Sequence, residues 1–169
     1  KTLGVIGLGS IGSQVAMAGC SLGMKVIGYD PELTVESALN LDGNKIKCVN
    51  DIESCIESAD YISLHVPVIK GVTENLINSK MIEIMKPGAN LMNFSRDELV
   101  NHSDLMSAIN IGKFTGKYCT DFPNEIIQGH KQCISIPHLG ASTEEAEEYS
   151  ASMAANTIID FLENGSIKN

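Results

Sequence analysis

The stretch Leu3-Gly-Val-Ile-Gly-Leu-Gly-Ser-Ile-Gly12 decides the fold. It opens on an apolar run with a β-branched pair, Val5 and Ile6, the composition of a buried strand. Glycines at 7, 9 and 12 follow at once, and Ile11 to Leu22 continues as a helix. Strand, glycine turn and helix in that order form a phosphate cradle. One glycine permits a tight turn, one lets a pyrophosphate approach the backbone, and one lets helix and strand pack closely. The free N–H groups and the dipole at the helix start would then favour the anion. Taken alone, G-x-G-x-x-G also fits an ordinary turn.

The next strand, Lys25 to Tyr29, delivers Asp30 eighteen residues after Gly12. A carboxylate there can accept hydrogen bonds from both ribose hydroxyls and repels a 2′-phosphate. Glu32 adds negative charge and no arginine lies near. The expected cofactor is therefore NAD rather than NADP, with Gly7, Gly9, Gly12 and Asp30 in contact with it. The competing reading of Asp30 is a simple turn opener before Pro31.

Further out, strand-like and helix-like segments alternate to the end of the chain. Helices are expected over Asp51–Ser58, Asn78–Met85 (stopped by Pro87-Gly88), Asp104–Ile111 and Thr143–Glu163. Strands are expected at Asp60–Leu64, Ala89–Phe94, Phe114–Thr120 and Cys133–Ile136. This is the α/β pattern of a doubly wound (Rossmann) parallel sheet with helices on both faces, read as one domain over 1–169. The last helix carries a capping-box signature, Ser142-Thr-Glu-Glu145, with Ser142 as N-cap, and a terminating Gly165. Its apolar side, Tyr149, Met153, Ile158, Phe161 and Leu162, needs a surface to pack on.

Composition narrows the function classes. With 43% hydrophobic residues the 169-residue chain is an ordinary globule, and no apolar run reaches membrane-spanning length. A net charge of −9 with dispersed lysines argues against nucleic acid as a partner. The five cysteines, 20, 48, 55, 119 and 133, form no C-x-x-C pair, so neither a disulfide framework nor a metal site is expected, and a reducing cytoplasm suits them.

Three residues fall just after expected strands, on the edge where such sheets bind ligands. Arg96, the only arginine, is suited to clamp a planar carboxylate, although a surface charge is the alternative. His138, in Ile136-Pro-His-Leu-Gly-Ala-Ser-Thr143, could shuttle a proton, or simply occupy a turn. Glu125 could fix the tautomer of that imidazole, and alone is a loop acid. His65 belongs to cofactor-pocket structure, whereas His102 and His130 sit in polar stretches and are expected at the surface.

Together these stretches resemble the D-isomer-specific 2-hydroxyacid dehydrogenases over essentially the whole chain. The resemblance rests on Thr2-Leu-Gly-Val-Ile-Gly-Leu-Gly-Ser-Ile-Gly12, Leu64-His-Val-Pro67, Asn93-Phe-Ser-Arg96 and Pro137-His-Leu-Gly-Ala-Ser-Thr143, in that order. Thr120-Asp-Phe-Pro-Asn-Glu125 and Leu139-Gly-Ala-Ser-Thr143 look most like the shorter bacterial branch that oxidises D-3-phosphoglycerate. It implies Arg96 holding the substrate carboxylate, His138 as acid/base, and Glu125 as its partner. It further implies NAD contacts from Ser10 and Ile11 by backbone, and from Val66, Pro67, Phe94, Ser95, Arg96, Asp121, His138, Leu139, Gly140 and Ala141. Two departures stand out: Asp97 replaces a common glycine, and the acidic loop is one residue shorter, with Ile126 in place of a proline.

The resemblance also implies a small 2-hydroxyacid substrate, a homodimer, a cytoplasmic location and no nucleic-acid or membrane partner. The chain looks like a nucleotide domain without its substrate domain, expected to bind cofactor and turn over little. Glyoxylate or hydroxypyruvate reduction, and a non-catalytic NAD-sensing role, are the competing readings.

Overall fold

The computed structural model describes residues 1–33, 41 and 45–167. Seven parallel strands form one sheet: β1 (Thr2–Ile6), β2 (Lys25–Tyr29), β3 (Ile46–Cys48), β4 (Tyr61–Leu64), β5 (Asn90–Asn93), β6 (Tyr118–Thr120) and β7 (Cys133–Ser135). Their spatial order is β3-β2-β1-β4-β5-β6-β7. Winding therefore reverses between β1 and β4, whose registers pair Val5 with Ser63 and Ile6 with Leu64. In a sheet of this type the crevice at the strand C-termini beside that reversal is the ligand site.

The period-two alternation of β1 assigns the two faces. Leu3 and Val5 join Leu8, Ala16 and Val26 on the face covered by α1 (Ser10–Ser21). Ile6 joins Ile56, Ile62, Leu64, Ile82, Leu91 and Leu105 on the other. That second face is covered by α2 (Ile52–Ser58), α3 (Ser79–Ile84) and α4 (His102–Asn110). Helices thus lie on both faces, as expected of the doubly wound class. Gly12, Ala16 and Gly19 form the buried side of α1, and a Cβ on Gly19 would come within 2.7 Å of the Leu3 side chain. Small residues let this helix lie close on the sheet.

Side-chain caps fix the other helix starts. Asp51, Asn78 and Asn101 accept backbone N–H groups of Ser54, Lys80 and Asp104. The Asn101 cap starts α4 at His102, two residues before the sequence reading placed it. Expected strand 114–120 contracts to 118–120, because the Phe114 N–H closes the end of α4 on the Ala108 carbonyl. β3 has no counterpart in the sequence reading: at three residues it is too short to show a period. A one-turn 3₁₀ helix, Asp97–Leu99, was also not expected.

The chain divides into two compact units, Lys1–Ile136 and Pro137–Asn169. The second holds the His138 turn and α5 (Glu144–Asn164). Its N-cap is Thr143, whose hydroxyl accepts the Ala146 N–H at 3.2 Å, and not Ser142. With Ala146 at the third helical position, the reciprocal half of a capping box has no carboxylate to make it. Gly165 ends the helix in the left-handed region at φ 68°, as expected. No residue of α5 is buried, and Tyr149, Met153, Ile158, Phe161 and Leu162 are exposed.

Candidate functional site

The three glycines of the first loop have different neighbours. Gly7 adopts φ +91°, and a Cβ there would lie 2.5 Å from the His65 carbonyl oxygen. A Cβ on Gly12 would lie 1.8 Å from the Gly7 carbonyl oxygen, so any side chain would force helix and loop apart. Gly9 differs from both: its backbone is unstrained at φ −67°, and a Cβ would meet nothing within 4 Å. The chain's own packing explains Gly7 and Gly12. The space over Gly9 is what an approaching pyrophosphate requires. No side chain caps α1, and its first hydrogen bond runs from Ser13 N–H to the Gly9 carbonyl. The amides of Ser10, Ile11 and Gly12 precede that bond and face the same ground. The loop therefore fits a dinucleotide.

Asp30 is fastened to this loop. Its Oδ2 accepts the Leu8 N–H at 2.8 Å, and its Oδ1 accepts the Glu32 N–H at 2.9 Å. Leu8 itself is fully buried over β2, where a Cβ on Gly28 would come 2.8 Å from it. The carboxylate is thus held by the cradle, with lone pairs left on both oxygens for hydroxyl donors.

The loops after β4 and β5 are joined. Ser95 Oγ donates to the Val66 carbonyl at 3.0 Å, bringing the Val66-Pro67 segment beside the Phe94–Arg96 turn. Asn93, fully buried, shapes that turn: its Oδ1 accepts the Ser95 and Arg96 amides, and its Nδ2 donates to the Arg96 carbonyl at 2.7 Å. Arg96 is exposed, its Nη1 donating to the Ser95 carbonyl, and no ion pair to it occurs among the described residues. His65 is in hydrogen-bond contact with Ser63 Oγ at 2.8 Å, and burial pushes its imidazole below the ordinary value of 6.5.

After β6, Asp121 is buried and Glu125 is exposed in the following turn. Asn124 builds that turn, accepting the Ile126 and Ile127 amides on Oδ1. Here one expectation fails. His102 is 9% exposed, not a surface residue; its ring touches Tyr118 and Asn124. As the first residue of α4, directly behind the Asn101 cap, it is turned onto β6. His130, also expected at the surface, is half-buried, accepting the Gln132 amide on Nδ1. Sequence reasoning gave no role to Asn93 or Asn124. Their only signal was a short polar residue at a strand end or turn start.

His138 lies in the second unit, exposed in a turn where Leu139 N–H donates to the Pro137 carbonyl and Ser142 N–H to the Leu139 carbonyl. Leu139, Gly140 and Ala141 share that turn and are exposed with it.

Comparison with known proteins now adds to this geometry. Residues 1–140 match the D-isomer specific 2-hydroxyacid dehydrogenase, NAD binding domain. The chain belongs to that family. As an NAD-binding domain of the D-isomer specific 2-hydroxyacid dehydrogenases, it is 38% identical to the D-3-phosphoglycerate dehydrogenase of Synechocystis sp. over 96% of its length, covering 29% of that protein. It is 38% identical to the D-3-phosphoglycerate dehydrogenase of Haemophilus influenzae, over 98% of the chain and 41% of that protein. The glyoxylate reductase of Thermococcus litoralis is 34% identical, with 95% and 49% coverage. Among solved structures, the NAD-complexed D-isomer specific 2-hydroxyacid dehydrogenase of Lactobacillus delbrueckii superposes with a TM-score of 0.80 at 26% identity, over 99% of this chain and 54% of that one. The chain thus spans about three to four tenths of the D-3-phosphoglycerate dehydrogenases it matches.

Proposed function

We propose that this domain selects NAD(H) over NADP(H) and serves a dehydrogenase of D-2-hydroxyacids whose substrate is 3-phosphoglycerate. The observation that carries the cofactor preference is the Asp30 carboxylate, tethered to the Leu8 amide at the mouth of the glycine loop. A 2′-phosphate would meet that fixed negative charge, with Glu32 beside it and no arginine near. Gly7, Gly9, Ser10, Ile11, Gly12 and Asp30 would hold the adenosine diphosphate half. Val66, Pro67, Phe94, Ser95, Arg96, Asp121 and the 138–141 turn would hold the rest.

NAD, when bound, supplies a nicotinamide that accepts hydride from C2 of the hydroxyacid. Arg96 grips the substrate carboxylate through two parallel N–H···O bonds, which its freedom from carboxylate partners among the described residues allows. The resemblance gives His138 the role of the acid/base that takes the hydroxyl proton on a ring nitrogen, and Glu125 the role of its partner. Two features support 3-phosphoglycerate: the D-3-phosphoglycerate dehydrogenases at 33–38% identity, and the Thr120–Glu125 and Leu139–Thr143 segments. The glyoxylate reductase relative favours glyoxylate as the second reading. We also read the domain as part of a cytoplasmic homodimer with no nucleic-acid or membrane partner. Among the described residues no helix is long and apolar enough to cross a membrane.

Titration of the chain with NADH and NADPH tests the cofactor reading; equal affinities overturn it. Rates of the parent enzyme on 3-phosphohydroxypyruvate and on glyoxylate decide between the two substrates.

A further inference from the structure

A buried polar chain links the Arg96 turn to the Glu125 turn, and His102 stands at its centre. At one end Asn93 holds the Arg96 turn through three backbone hydrogen bonds. The side chains of Asn93 and Thr120 lie near the hydroxyl of fully buried Tyr118 and partly offset the burial that pushes it up to about 12. That hydroxyl lies 3.3 Å from His102 Nε2, and His102 Nδ1 lies 3.3 Å from Asn124 Nδ2. At the other end Asn124 organises the turn after it: Oδ1 accepts Ile126 and Ile127 amides, and its carbonyl accepts the Gln128 amide.

The arrangement fixes hydrogen positions without seeing them. Asn124 Oδ1 is committed to two backbone donors, so the atom facing His102 must be the amide nitrogen, a donor. His102 Nδ1 must then be an acceptor, and the ring proton sits on Nε2, directed at Tyr118 Oη and at Asp97 Oδ1 3.6 Å away. A second proton on the ring would set Nδ1–H against the Asn124 N–H. Asn124 could escape only by flipping, which would surrender the Ile126 and Ile127 amides.

We propose that His102 is a positioning residue for Glu125. As a neutral imidazole it holds Asn124, and through Asn124 the turn bearing Glu125, in a fixed relation to the Arg96 turn. This rests on the assignment of Glu125 as the partner of His138. The charged and titratable groups around His102 are Asp97 from the 3₁₀ turn and Tyr118 from β6. Glu74 and Glu98 line the adjoining cavity of about 280 Å³ with Ile126. Burial lowers the His102 value and Asp97 opposes it, so the ring is neutral near pH 7 and charges in acid.

The test is amide hydrogen exchange and NMR on the whole chain, from pH 8 to pH 5, for wild type, His102→Gln and His102→Leu. In the wild type, protection of the Ile126 and Ile127 amides falls about tenfold below the His102 titration, the loss of one hydrogen bond. Gln offers an Oε1 acceptor and keeps protection without that pH step. Leu loses it at every pH, while the β1 and β5 amides stay protected. Unchanged Ile126 and Ile127 amides in the Leu variant, or the same pH step in the Gln variant, would overturn the proposal. If Leu prevents folding, the wild-type pH series and the Gln variant still decide. The role of Glu125 is read separately, from the His138 ring titration in Glu125→Gln. No shift there refutes the His138 pairing and leaves the His102 readout standing.

Discussion

The Asp30 carboxylate accepts the Leu8 backbone N–H at 2.8 Å, so the acid at the end of β2 and the glycine loop after β1 form one rigid corner. Because Leu8 is buried over Gly28, that corner is anchored in the core. Replacing Asp30 by Ala removes ribose acceptors and the tether together. NADH affinity should fall roughly 10- to 100-fold, the size of one or two charge-assisted hydrogen bonds, while NADPH affinity changes less. Calorimetric titration of both cofactors measures this.

Gly9 and Gly12 should respond oppositely to the same change. A Cβ on Gly12 would overlap the Gly7 carbonyl, so Gly12→Ala should destabilise the fold by about 1–3 kcal/mol or more. Gly9→Ala meets no atom of the chain and keeps an ordinary φ, so stability should change by less than about 0.5 kcal/mol. NADH binding should nonetheless be lost in Gly9→Ala, since the methyl group occupies the ground a pyrophosphate needs. Urea melts paired with fluorescence titrations separate the two effects.

Under the proposed dehydrogenase reading, His138→Ala should lower kcat by roughly 10²- to 10⁴-fold with little change in NADH affinity, as expected for loss of a general base. A protein that senses NAD without catalysis would instead keep its NAD-dependent behaviour in this variant.

Stability should decline in mild acid. His65 and His102 both have values lowered by burial, so the unfolded chain binds their protons first. Their contribution is complete above about 6.5 and is lost as pH falls toward the lowered folded values. Asp51, held down by Ser54, and Asp60, held down by the Thr2 amide and by Lys1 and Lys86, add a second loss below the ordinary 3.8. Thermal melts from pH 8 to pH 3 should show two descending steps; a flat profile between pH 7 and pH 5 would contradict the histidine part.

Thiol reactivity should follow burial. Cys48 is exposed, whereas Cys55 is buried between α2 and β1 and desolvation pushes its thiol up to about 12. At pH 8 iodoacetamide should label Cys48 rapidly and leave Cys55 unlabelled until the chain unfolds, as peptide mapping would show.

Much of this was legible in the residues themselves. Strand, glycine turn and helix are local events, and Gly7, Gly9, Gly12 and Asp30 lie within one βαβ unit, so spacing alone located that strand–turn–helix corner. The helix limits shifted where caps decided them: Asn101 moved the start of α4, and Thr143 replaced Ser142 at α5. β3 was invisible because three residues carry no period, and its strand character comes only from pairing Val26, Ile27 and Gly28 with Ile46, Lys47 and Cys48.

The sequence by itself determined the doubly wound class and the strand–glycine loop–helix unit with an acid at the end of β2, because each depends on neighbours in the chain or on a fixed βαβ spacing. Tertiary structure alone decided that Leu8 anchors Asp30, that Gly9 faces open ground while Gly12 does not, and that His102 is buried. His102 joins α4 to β6 and to the Asn124 turn, elements up to 22 residues apart along the chain. No local pattern encodes contacts of that kind; they exist only once the sheet order has brought β5 and β6 side by side. The corner that began as three glycines and an aspartate is therefore held by a buried leucine no motif singles out.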